Sequence, residues 1–103
     1  MIRLLVQDEF AEEEYILGYF NETDITNLID FAAHNNLKCL KFIDVSMNTY
    51  FSEMQMFQIK KEVAVLVEYS EINPHLISLI IRGIDIALSE GASFLKFEPL
   101  LAL

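Results

Sequence analysis

The stretch NPHLISLIIRGIDIALSEGASFLKFE, Asn73 to Glu98, decides the fold. Asn73 is suited to cap a helix, and Pro74 follows at the first helical position, where its missing N–H costs nothing. Ile77, Ile80, Ile81, Ile84 and Leu88 then make one wide apolar face. Gly83 interrupts that helix at a cost of about 1 kcal/mol relative to alanine, and it permits close approach by another element. Gly91 is a helix stop. Ala92 to Glu98 reads as a strand, with Phe94 and Phe97 on opposite faces. A capped helix running straight into a strand predicts a mixed domain. Leu100, Leu101 and Leu103 are expected to pack onto its body.

Upstream, Ser52 and Gln55 have capping-box spacing. Met56, Ile59, Val63 and Leu66 step by three, four and three residues, a helical stripe that leaves Glu53, Gln58, Lys61 and Glu62 for solvent. The helix is expected to run to about Tyr69. The β-branched run Val63–Val67 also fits a strand, and periodicity does not separate the two. Asp44 to Tyr50 reads as a polar connection, and Leu37 to Ile43 as a strand. Before it, Ile25, Leu28, Ile29 and Ala32 mark a helix capped by Asn21 or Thr23 and stopped by Asn35-Asn36. Ile2 to Gln7 is a first strand and Asp8 to Glu12 a turn. Tyr15 to Phe20 is a second strand, rivalled by a short helix that Gly18 disfavours.

The order is β-β-α-β-α-α-β. It predicts an α+β fold in which a small sheet of about four strands packs against three helices. Three glycines, two prolines and 103 residues fit one globular domain over residues 1–103, without linker or repeat. A single cysteine, Cys39, excludes an internal disulfide and points to a reducing compartment, where it reads as a buried residue of a strand. No signal peptide or membrane span is evident, so a soluble cytoplasmic protein is expected.

Charge says most about function. Sixteen acids face seven bases, a net charge of −9, and no base occurs between Arg3 and Lys38. Such a surface repels nucleic acid and anionic membranes and attracts a basic protein. The plainer alternative is that excess acid keeps an apolar domain soluble. Charge density singles out Asp8, Glu9, Glu12, Glu13, Glu14 and Tyr15 as partner contacts, with Glu22 and Asp24 in second rank. Tyr15, Tyr19 and Phe20 are the aromatic anchors of that segment, or else core.

No catalytic pattern appears. His34 and His75 stand alone, the acids lack EF-hand spacing, and no glycine-rich loop is available to cradle a phosphate. Neither an enzyme, a metal site nor a cofactor is expected.

Val45-Ser46-Met47-Asn48-Thr49-Tyr50-Phe51-Ser52, leading into a helix with Lys60-Lys61-Glu62, and Gly91 to Glu98 after the last helix have a familiar pattern. Together they resemble the small immunity proteins of bacterial polymorphic toxin systems, including contact-dependent growth inhibition. The resemblance covers the C-terminal half. It implies a cytoplasmic inhibitor that binds the C-terminal domain of a cognate toxin, in many cases a basic nuclease. A different class also fits: an adaptor or regulatory domain that forms a homodimer through the apolar Met56–Leu66 helix face and the leucine-rich tail.

Overall fold

The two most thoroughly buried strands of the chain lie side by side at the middle of the sheet. In the computed structural model, which describes residues 1–10, 12–68, 71–91 and 93–100, β1 (Ile2–Asp8) pairs antiparallel with β4 (Ser93–Pro99). β2 (Glu14–Phe20) adds to the outer side of β1 and the three-residue β3 (Thr49–Phe51) to the outer side of β4. The sheet order is β2-β1-β4-β3, antiparallel throughout. α1 (Glu22–His34), α2 (Met56–Glu68) and α3 (Pro74–Glu90) complete the α+β fold in the expected order.

Register assigns the two faces of the sheet. Leu4 opposes Phe97, Val6 opposes Leu95, and Phe51 also opposes Leu95, so these side chains share one face. They join Ile25, Leu28, Met56, Ile59, Ile80 and Ile84 in the core. Gly83 lies where α3 crosses this face, and a Cβ there would stand 2.6 Å from Leu95 Cδ1 and 2.8 Å from Leu17 Cδ1. A side chain at this position would therefore have to push the ends of both leucines aside. The bulge in β2 between the partners of Leu4 and Leu5 puts Leu17 on this face as well.

The other face carries Arg3, Leu5 and Gln7 of β1, with Lys96 and Glu98 of β4 opposite them. Leu5 is fully buried yet stands outside the core cluster that contains the helices. The molecule measures 36 × 35 × 20 Å, and a thickness of 20 Å accommodates one sheet and one helical layer at about 10 Å each. Among the described residues, then, this second sheet face has no helix over it.

Helix ends form as their sequences predict. Asn21 Oδ1 accepts from Asp24 N, Asn36 takes a φ of 51° after α1, and Asn73 Oδ1 accepts from His75 N ahead of α3. Gln55 Oε1 accepts from Ser52 N at 2.8 Å, closing the capping box of a 3-10 turn, Glu53–Gln55, that runs into α2. Val63–Val67 is helical, because burial of Met56, Ile59, Val63 and Leu66 continues along one face through the β-branched run. Tyr69 lies outside the described residues.

Three expectations are corrected. Leu37–Ile43 is not a strand: it is a turn and a 3-10 segment, Leu40–Phe42. Leu37, Leu40 and Ile43 are buried at every third position, the period of a 3-10 turn, with Cys39 buried beside them. The third strand lies instead in the supposed connection, at Thr49–Phe51, where Phe51 packs edge-on against Phe97. Glu62, expected in solvent, is 2% exposed. Its carboxylate accepts from Cys39 N and Leu40 N at 3.0–3.1 Å and from Gln58 Nε2 at 2.9 Å. These bonds satisfy backbone groups that a sheet would otherwise have paired. Cys39 is buried as expected, but in this turn, where burial and the neighbouring Glu62 carboxylate push its thiol pKa up. Of the terminal leucines, Leu100 is partly exposed and donates its N–H to Met1 O; Leu101 and Leu103 lie outside the described residues.

Candidate partner-binding surface

The acidic run Asp8–Glu14 falls at the end of the β1–β2 hairpin. Asp8 closes the loop: its N–H reaches Glu13 O at 3.3 Å and its Oδ1 accepts from Glu13 N at 2.9 Å. That leaves Glu9, Glu12, Glu13 and Glu14 exposed, with Phe10 74% exposed beside them. Arg3 stands 3.9 Å from Glu14, a long contact between partly solvated groups. Among the described residues, Glu9, Glu12 and Glu13 have no ion-pair partner.

The end of α3 meets this hairpin. Asp8, Glu13, Glu14, Tyr15, Ile86 and Glu90 line a recess of about 170 Å³, floored by Val6, Gly91 and Ser93. Four carboxylates and no base occur in that lining. Glu90 is the last residue of α3, at the negative end of the helix dipole, so the two sources of negative potential add. The nearest cation on the helix, Arg82, is engaged: Tyr15 Oη is 2.7 Å from its Nη2, and its guanidinium lies 5.6 Å from the centre of the Tyr15 ring. Tyr15 keeps 46% of its surface exposed and serves as an aromatic wall to the recess.

Chemically, the recess favours a cation over an anion. An arginine or lysine entering it meets several carboxylates and an aromatic face, the two groups that hold such side chains at interfaces. Of the hydroxyls in its lining, that of Ser93 donates to Gly91 O and that of Tyr15 accepts from Arg82. The two histidines sit at separate helix ends, His34 Nδ1 facing Asp30 O and His75 against the Phe20 ring. Among the described residues no group of three or more His, Cys, Asp or Glu is placed to hold a metal ion.

Nothing matches. No protein-family model, no curated protein and no solved structure corresponds to this chain.

The structure divides the residues that charge density had grouped. Asp8, Glu9, Glu12, Glu13, Glu14 and Tyr15 share the hairpin end. Glu22 and Asp24 do not: they open α1, beyond Phe20, which pairs with Ile2 at the far end of the sheet. A seven-residue strand puts about 20 Å between the two groups. Asp24 also accepts from Asn73 Nδ2 at 3.1 Å, joining α1 to the start of α3. Of the three aromatic anchors, Tyr15 and Tyr19 are exposed, while Phe20 is core.

Glu90 and Ile86, remote in sequence, were missed. One signal was available: an acid in the last turn of a helix, just before Gly91, opposes the dipole rule that favours bases there.

Proposed function

We propose that this protein is an immunity protein: it binds the C-terminal domain of a cognate bacterial toxin, stoichiometrically and in the cytoplasm, and neutralises it. It has no catalytic role in this reading, and its partner is basic, as a nuclease is. The observation that carries the reading is the recess at the hairpin end, with four carboxylates, no base and an exposed tyrosine wall. A basic site built to hold phosphate would meet there the charge it is shaped for. The resemblance of the C-terminal half to such immunity proteins supports the same function. A homodimer through the Met56–Leu66 stripe has less support, because Met56, Ile59, Val63 and Leu66 are 0–3% exposed and belong to the core.

The test is association kinetics with the C-terminal domain of the cognate toxin. Reversing Glu9, Glu12 and Glu13 together to lysine is expected to lower the association rate at least tenfold at about 50 mM salt. Raising salt to about 500 mM is expected to remove most of the difference. An association rate indifferent to both changes would sink the electrostatic reading.

A further inference from the structure

The second face of the sheet is a different surface from the acidic end. Its charged groups are two bases and two acids: Arg3, Lys96, Glu14 and Glu98. Glu98 accepts from Lys96 at 2.9 Å and also pairs with Arg3, and Lys96 Nζ lies 5.2 Å from the centre of the Tyr50 ring. The formal charge of this face is zero on a chain that carries −9. The ion pairs are also largely withdrawn from water, with side-chain exposures of 22% for Arg3, 8% for Lys96 and 18% for Glu98. Covering them therefore adds little desolvation to what folding has already imposed. Around them Ile16, Tyr19 and Tyr50 remain 44–51% exposed.

We infer that this face seats a second copy of the chain. Two copies meeting at their acidic hairpin ends would repel; on this face the opposed surfaces are neutral, and each has both signs to offer the other across a two-fold axis. Tyrosine and arginine are the side chains that dominate such contacts. Three seven-residue strands and the short β3, at about 4.8 Å between strands and 3.3 Å per residue, present roughly 400 Å². Two such faces give an interface of roughly 800 Å² in total, below the about 1,200–2,000 Å² of stable complexes, so the dimer is weak and concentration-dependent. Its salt response is the reverse of that for a basic partner. The long-range force between copies is repulsive, and salt screens it, so the dimer tightens as salt rises.

The experiment is sedimentation of the isolated full chain from about 1 μM to about 1 mM, in about 50 and 500 mM salt. A monomer–dimer equilibrium is expected, tighter at the higher salt. Ile16→Glu and Tyr19→Glu, each checked for folding by circular dichroism, are expected to weaken it about tenfold or more. Phe57→Glu, on the exposed side of α2, is expected to leave it unchanged. Amide shifts on dilution of the unaltered protein map the same contact without any variant, and are expected on β1, β2 and β4. A monomer under all conditions overturns the proposal. So does a dimer lost on Phe57→Glu but kept in both sheet variants, or dilution shifts confined to the helices.

Discussion

Replacing Glu62 tests how the structure holds its central connection. The carboxylate is 2% exposed, takes both backbone N–H groups of Cys39 and Leu40, and is itself tied by Gln58. Glu62→Ala leaves two backbone donors in the interior without an acceptor. Each such loss costs about 1–3 kcal/mol, and bonds to a charged group lie toward the upper part of that range. A destabilisation of about 3–5 kcal/mol follows, a large share of the roughly 5–15 kcal/mol that holds a domain together. Glu62→Gln behaves differently. Cys39 N and Leu40 N both lie within 3.1 Å of Oε1, so one amide oxygen can still serve both. The charge assistance and the second oxygen are lost, and the Gln58 amide must turn its oxygen towards the new NH2 group, for about 1–2 kcal/mol in all. Urea unfolding followed by circular dichroism measures both, with the midpoint of the alanine variant expected to fall by roughly 2 M or more and its slope unchanged. If alanine costs under about 1 kcal/mol, or if glutamine costs as much as alanine, the carboxylate does not act as the acceptor argued here.

Two further perturbations probe the sheet and its contact with α3. Gly83→Ala should gain helix propensity yet destabilise by about 1–2 kcal/mol in the same urea assay, because its Cβ would press on Leu95 and Leu17 at 2.6 and 2.8 Å; a stabilised variant would show that the two leucines move aside freely. The pKa of Glu98 is held below the ordinary carboxylate value by its hydrogen bond from Lys96 and then by Arg3. Its contribution to stability is therefore complete above the unfolded value near about 4.3 and is lost as pH falls through the lower folded value. Unfolding midpoints of the natural chain and Glu98→Gln should differ at neutral pH and converge in acid; a gap that persists or widens in acid would contradict the ion-pair account.

The fold was legible in the sequence wherever an element carried its own start, stop and period. α3 has Asn73, Pro74 and Gly91 around an unbroken apolar stripe, and α2 has the Ser52–Gln55 box ahead of one. The Leu37–Ile43 segment has no such local signature. Its residues alternate well enough for a strand, and what excludes the strand is a carboxylate 22–23 residues downstream that captures the N–H groups of Cys39 and Leu40. A sequence window contains no trace of that capture. Likewise the acids of the hairpin were visible as a run, but Glu90 joins them only because α3 is long enough to carry its C-terminus back to Asp8 and Ser93. Glu22 and Asp24, closer in sequence, are carried away by the length of β2.

The placement of charge follows from what each part of the sheet must do. At the hairpin end, the loop is closed by Asp8 through its contacts to Glu13 N and O, so Glu9 and Glu12 are left without a structural task and remain in water. At the centre of the open face, Lys96 and Arg3 lie over the sheet beside Leu5, where burial would expel an unpaired cation, and Glu98 is the anion that keeps both. Neutrality on the face and acidity at the end thus have separate physical origins. The proposed partner and the proposed second copy therefore make demands on different side chains. They meet only at Glu14, which lines the recess and stands 3.9 Å from Arg3.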